Sequence, residues 1–156
     1  MSTPRTLFTV LLVFPSICCS PSSDSSRSDD SALPLNFKIE IAEGGGFTGM
    51  WNGFAILAGD SVLEWSGRPP EVHPMYAGQL SHDTTAALWR TIRDGHFMDI
   101  PPKANPGNYT RTLSITVGGP PHEFGWSPGT EADSVSSAIL NFRTRCLQAI
   151  HQALGR

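Results

Sequence analysis

Residues 109–117 read YTRTLSITV, and this stretch decides the fold. Leu113 and Ile115 alternate with threonine and serine, which is the two-residue period of a strand that turns one face toward a core. The Gly-Gly-Pro-Pro run at residues 118–121 predicts a turn, and residues 122–126 (HEFGW) predict a returning strand. The stretch therefore indicates an antiparallel pair of strands.

The upstream half of the chain predicts further strands. Residues 37–41 (FKIEI) show the same alternation of apolar and polar side chains. Residues 54–57 and 62–65 form two more extended runs, and the AGDS segment between them suits a hairpin turn because it contains Gly and Asp. The Pro69-Pro70 pair ends regular pairing, and residues 72–76 predict a short edge strand.

Two segments predict amphipathic helices. Ser81 caps the first, which ends at Gly95 and buries Leu88 and Ile92. The second covers residues 131–154, with Thr130 as its N-cap. Its apolar stripe comprises Val135, Ile139, Phe142, Cys146, Ile150 and Ala153. We therefore interpret Cys146 as a thiol of the core and not as a nucleophile.

The order of these elements is strands, helix, strands, helix. This order predicts an α+β fold, with an antiparallel sheet of about five strands and two helices packed on one face. Residues 36–154 are long enough to form a single domain with its own core.

Residues 1–18 have the layout of a secretory signal peptide. Arg5 supplies the positive start, residues 7–14 (LFTVLLVF) supply the apolar segment, and Pro15 with mostly small residues follows. The apolar segment is too short to span a bilayer as a helix, because a span needs about 20 residues. We therefore predict that this segment directs export.

The junction at Cys18 and Cys19 resembles a bacterial lipoprotein signal that is followed by a serine-rich tether. That resemblance implies a lipid on Cys19, or alternatively on Cys18, and hence a membrane anchor in the cell envelope. Residues 19–35 are rich in Ser and Asp, and this composition is typical of a flexible tether. Plain secretion without a lipid is the alternative.

Composition limits the classes of partner. The net charge is −3 and no basic stripe is present, so nucleic-acid binding is not expected. Cys146 is the one cysteine outside the export signal, and an intramolecular disulfide in the mature domain is therefore not expected. The histidines have no metal-binding spacing, so we expect no metal and no cofactor.

Two short motifs match functional patterns only in part. Residues 44–49 (GGGFTG) match G-x-G-x-x-G, but no helix is predicted after them to hold a pyrophosphate, so a turn is the better interpretation. Residues 125–129 (GWSPG) match the hydrolase pattern G-x-S-x-G. Pro128, however, lacks the backbone N–H that the oxyanion hole requires. We therefore assign no catalytic residue.

Residues 37–49 resemble the opening of the emfourin-type inhibitors of thermolysin-like metalloproteases, in which a strand runs into a Gly-Gly-aromatic-small-Gly turn. Residues 97–101 (FMDIP) are similar to that family's exit from its helix, and residues 109–154 continue the likeness. The resemblance implies an α+β domain and a protein partner such as a secreted metalloprotease. Residues 54–76 are longer than the family's usual link, so only the fold is carried over.

These observations favour a lipid-anchored, non-catalytic binding module that resembles a protease inhibitor. Trp51 and Trp126 lie in Gly- and Pro-rich segments and are the candidate partner contacts. Two alternatives stay open. One is a small secreted hydrolase that uses Ser127 with His151 and either Glu131 or Asp133, and the other is a structural envelope protein.

Overall fold

The protein is built on one mixed sheet with two helices. This computed structural model describes residues 32–104, 107–131 and 135–156. Within these ranges eight strands form the sheet. They are β1 (Lys38–Gly45), β2 (Met50–Leu57), β3 (Ser61–Arg68), β4 (Glu71–Val72), β5 (Met75–Gln79), β6 (Lys103–Ala104), β7 (Tyr109–Thr116) and β8 (His122–Trp126).

Strand β1 occupies the middle of the sheet, whose order is β4-β3-β2-β1-β7-β8-β6, with β5 also paired to β3. Seven strands pair antiparallel, and the two-residue β6 runs parallel to β8. β1 pairs along its whole length with both neighbours. Ile41 lies between Phe54 of β2 and Leu113 of β7, and the three side chains therefore share one side of the sheet.

Two helices cover that side. Helix α1 (His82–Asp94) begins after Ser81, whose side chain accepts a hydrogen bond from the Thr84 N–H and so satisfies one free donor of the first turn. A 3₁₀ segment, Phe97–Asp99, follows it. Helix α2 (Ser137–Leu154) begins after Ser136, which accepts from the Ile139 N–H, and it ends at Gly155 in the left-handed conformation.

One hydrophobic core joins the helices to the sheet. Its strand side chains come from β1, β2, β3, β7 and β8, and its helix side chains include Leu88 and Ile92 of α1. Helix α2 contributes Ile139, Phe142, Cys146 and Ile150. The strand residues of the core are Ile39, Ile41, Ile56, Val62, Leu113, Ile115, Phe124 and Trp126.

On the opposite side of the sheet, two glycines make room for tryptophans. Gly53 of β2 pairs with Trp65 of β3, and Gly44 of β1 pairs with Trp51 of β2. A Cβ atom on Gly53 would lie 2.7 Å from Cζ2 of Trp65 and 2.6 Å from the carbonyl oxygen of Ile41. The Trp65 ring can therefore cover the backbone only because Gly53 has no side chain.

The α+β class with two helices and a mainly antiparallel sheet is confirmed. The sheet has more strands than the expected number because β4 and β6 contain two residues each. In addition, the edge strand predicted over residues 72–76 divides into β4 and β5 at Pro74, which cannot donate a ladder hydrogen bond.

The predicted start of the second helix is wrong. The continuous helix α2 begins at Ser137 because Ser136 provides the cap, whereas the Thr130 hydroxyl donates to the Ser127 carbonyl oxygen at 2.9 Å within a turn. Ala153 is exposed, because it falls outside the stripe that faces the core.

The domain begins before residue 36. Leu33 packs against the core, and the Phe37 N–H donates to the Pro34 carbonyl oxygen at 3.0 Å. The predicted signal peptide, Cys18, Cys19 and the tether up to residue 31 lie outside the described residues.

The close approach at Gly53 predicts a loss of stability on substitution. We expect Gly53→Ala to lower the free energy of unfolding by about 1–3 kcal/mol, because the new methyl group would overlap backbone and ring atoms. Urea unfolding at neutral pH measures this change. Gly59→Ala is the matched control, since a Cβ there meets nothing within 4 Å, and it should change stability by less than about 0.5 kcal/mol.

Candidate functional site

A groove lies between helix α2 and the side chains of strands β2 and β3 that face it. We call it the α2 groove, and its volume is about 400 Å³. Arg143, Leu147 and His151 line its helix side, because residues four apart lie on one face of a helix. The sheet side is lined by Glu43, Asn52, Phe54, Glu64, Ser66 and Met75.

The strand register brings these sheet residues to the same side. Asn52 pairs with both Glu43 and Ser66, and Phe54 pairs with both Ile41 and Glu64. Directly opposed residues in antiparallel strands point to the same face. The groove therefore has an apolar floor around Phe54 and a polar rim, and its volume falls in the lower range of small-ligand pockets.

Charged side chains gather at one end of the groove around Glu43. Oε2 of Glu43 accepts from Nε of Arg111 at 3.3 Å and from Nη2 of Arg143 at 3.4 Å. Arg111 also donates to Oε1 of Glu131 at 3.5 Å. Burial, together with the Glu43 carboxylate, raises the pKa of the Tyr109 phenol. We call these five residues the Glu43 cluster.

Arg143 has more donors than the cluster uses. Its guanidinium carries five N–H groups, but within the described chain it makes one hydrogen bond, the long one to Glu43. Nε is buried without a partner there, and the guanidinium lies over the Trp126 ring at 5.8 Å from its centroid. Burial lowers the pKa of Arg143, yet arginine stays protonated at physiological pH.

Glu64, another carboxylate of the groove lining, is paired with Arg156. Arg156 donates two hydrogen bonds to Glu64, from Nη1 to Oε1 and from Nη2 to Oε2, each at 3.0 Å. These bonds lower the pKa of Glu64 and raise that of Arg156. The His151 ring meets the Phe54 ring edge-on, with centroids 6.2 Å apart.

An exposed apolar surface lies at the turn between β1 and β2, and it shares Tyr109 with the Glu43 cluster. Phe47 is fully exposed there, and Met50 and Tyr109 are exposed beside it. Met50 and Tyr109 both pair with Gly45, so the two strands bring them to the same end of the sheet. We call these three residues the tip surface.

The two candidate tryptophans differ in their exposure to solvent. Trp51 of β2 is half-buried on the outer side of the sheet, where a partner can still reach part of it. Trp126 is only 1% exposed and belongs to the core, so the expectation that it contacts a partner is corrected. Its position in β8 opposite Arg111 explains the burial, because that register turns the ring toward the helices.

Ser127 and His151 of the alternative hydrolase are not brought together, and Asp133 lies outside the described residues. His151 packs on Phe54 of β2, whereas Ser127 follows β8, three strands away and therefore roughly 14 Å across the sheet. Cys146 is fully buried, and burial raises the pKa of its thiol, as expected for a core residue. Residues 46–49 form a turn between two strands and do not open a helix.

The α2 groove and the Glu43 cluster are not predicted by the sequence patterns described above. The two-residue period of the strands could have indicated the cluster. It places Glu43 on the same side of β1 as Ile39 and Ile41, and Arg111 on the same side of β7 as Leu113. Arg143 falls four residues after the buried Ile139, but the predicted stripe excluded it.

Among the described residues, no group of three or more His, Cys, Asp or Glu side chains is placed to hold a metal ion. In the same ranges no helix has the length and apolar character needed to cross a membrane. No protein-family model matches the chain, and no curated protein is significantly similar to it.

The bidentate pair of Glu64 and Arg156 predicts a shifted pKa for Glu64. The pKa of Glu64 should lie below 4.5 in the wild-type chain and return toward 4.5 in Arg156→Ala, because the guanidinium stabilises the carboxylate. NMR titration of the side-chain carboxyl carbon measures both values. Arg68→Ala removes a different charge from the same strand and should leave the titration of Glu64 as in wild type.

The sign of the accompanying stability effect follows from the depressed pKa. Wild type should be more stable than Arg156→Ala above the unfolded-state pKa of Glu64, and this difference should shrink as the pH falls through the lower folded-state value. A stability difference that grows on acidification would contradict the pair.

Proposed function

We propose that this chain is an exported, non-catalytic protein-binding module, and that Phe47 is the main anchor of its binding surface. The observation that carries the proposal is the full exposure of Phe47 on an ordered turn. A large aromatic side chain left in water contributes nothing to the core, but it supplies much of the binding energy when it enters a pocket of a partner.

Backbone angles and hydrogen bonds fix the conformation of the turn around Phe47 in the absence of a partner. Gly45, Gly46 and Gly49 adopt positive φ angles of 99°, 69° and 62°, which side-chain-bearing residues rarely adopt. The Gly46 N–H donates to the carbonyl oxygen of Asn108, and the Gly49 N–H donates to the Gly46 carbonyl oxygen at 3.2 Å. A preorganised turn loses little conformational entropy on binding, which favours affinity.

The surroundings of Phe47 suit a partner with an apolar pocket. Met50 and Tyr109, the other members of the tip surface, extend the apolar area. The charged residues nearest in register, Glu43 and Arg111, pair with each other. Apolar side chains surrounded by paired charges are typical of the centre and rim of protein interfaces.

The partner class comes from the resemblance to emfourin-type inhibitors, which implies a secreted thermolysin-like metalloprotease. Phe47 is the aromatic residue of the Gly-Gly-aromatic-small-Gly motif that carries this resemblance. We therefore propose that the tip surface contacts such a protease and restrains its activity.

Export and anchoring complete the proposal. Residues 1–18 would direct secretion, and a lipid on Cys19 would hold the domain at the cell envelope through the serine-rich segment. Several acyl chains on one cysteine would satisfy the two-signal requirement for durable membrane attachment.

The protease proposal predicts inhibition that depends on Phe47. Excess purified chain should reduce the activity of a thermolysin-like protease, and Phe47→Ala should weaken the inhibition about tenfold or more, because it removes the anchor. Residual proteolysis of a peptide substrate measures this. Leu35→Ala is the matched control, since Leu35 is 95% exposed and lies outside the tip surface. Undiminished proteolysis with wild type would contradict protease inhibition, whereas equal inhibition by both variants would contradict the role of Phe47.

The lipid anchor predicts a position-specific modification. In a bacterial host, radiolabelled palmitate should enter the wild-type chain and Cys18→Ser, but it should not enter Cys19→Ser, because the thiol of Cys19 carries the lipid. The two variants differ only in which neighbouring cysteine is removed. Label in Cys19→Ser would assign the lipid to Cys18, and no label in wild type would refute lipidation.

A further inference from the structure

The α2 groove offers unused hydrogen-bond donors at Arg143. Both of its carboxylates are paired, Glu43 with two arginines and Glu64 with both terminal nitrogens of Arg156. Arg143, in contrast, uses one of its five donors within the described residues. A ligand that binds these donors must bring acceptors, and a carboxylate matches the planar guanidinium best.

The remaining lining defines the rest of the ligand. Phe54, Leu147 and Met75 add apolar side chains to the lining that contains Arg143 and Glu64. The volume of about 400 Å³ suits a compact molecule and not a folded partner. Met75 lies on the rim with 71% of its surface exposed, so the apolar part of the lining can be reached from solvent.

The position and the low exposure of Arg143 favour the binding of an anion. Its guanidinium lies over the Trp126 ring, and its side chain is only 12% exposed. A partly desolvated guanidinium loses less hydration when it binds a carboxylate, and the stacked ring limits its rotamers. The ring beneath it belongs to the core, which fixes the donor relative to the sheet.

We propose that the α2 groove binds a carboxylate attached to an apolar group, with the carboxylate on Arg143 and the apolar group over Phe54, Leu147 and Met75. This chemistry occurs both in a small free acid and at the carboxyl terminus of a polypeptide that ends in an apolar residue. Phe47, the proposed anchor of the tip surface, does not line the groove.

The binding test uses N-acetylphenylalanine and its amide with the purified, isotope-labelled full chain. The acid should shift the backbone amide signals of Asn52, Glu64 and Leu147, and it should bind about tenfold or more tightly than the amide, because the amide lacks the charge that strengthens the hydrogen bonds to Arg143. Equal affinity of acid and amide, or shifts only outside the groove, would overturn the proposal.

Variants assign the binding to the groove. Arg143→Gln should reduce the affinity for the acid to that for the amide. Because Arg143 is largely buried and its loss can destabilise the fold, Met75→Glu provides a second measurement, and its added carboxylate should weaken acid binding about tenfold or more. Met98→Glu is the matched control, since Met98 is also exposed, at 36%, and lies outside the groove. Equal losses in the two methionine variants would overturn the proposal.

A final comparison separates the two sources of the carboxylate. A hexapeptide that ends in a free phenylalanine carboxylate is titrated beside N-acetylphenylalanine. Tighter binding of the peptide supports a polypeptide terminus as the ligand, and tighter binding of the small acid supports a free acid. Failure of both to bind would overturn the groove proposal, while inhibition of a protease through Phe47 would still be measured separately.

Discussion

The burial of one side of β1 is the constraint on which the rest of the structure depends. Ile39 and Ile41 are inaccessible to solvent between β2 and β7, and a slip of one residue would turn both toward water. The same alternation places Glu43, near the end of β1, on the side of the sheet that faces the helices. The register that secures the hydrophobic core therefore also positions the carboxylate that organises the charged cluster.

Local patterns explain how much of the fold could be predicted. The alternation in β1 and β7, the turn between β2 and β3, and the cap at Ser81 each depend on residues that are close in sequence, and each is present in the structure. The start of α2 was predicted wrongly because Thr130 and Ser136 are both suitable caps, and only the tertiary structure shows which one is used.

The candidate site was harder to predict because its contacts are distant in sequence. Glu43 meets Arg111 across 68 positions and Arg143 across 100, so no local period reveals the cluster. Trp126 shows the same limitation. Its Gly- and Pro-containing surroundings are typical of an exposed loop, yet the register with β7 makes it a core residue on which Arg143 rests. The residue expected to meet a partner instead supports the one that faces the groove.

The length of β1 sets how far Phe47 lies from the point where the chain enters the domain. The chain enters the domain through residues 33–37 at one end of this strand, and Phe47 projects from the turn at the other end. Eight strand residues span roughly 25 Å. The exposed aromatic therefore lies about one strand length from the point where residues 33–37 enter the sheet, so the entering chain leaves Phe47 open to contact.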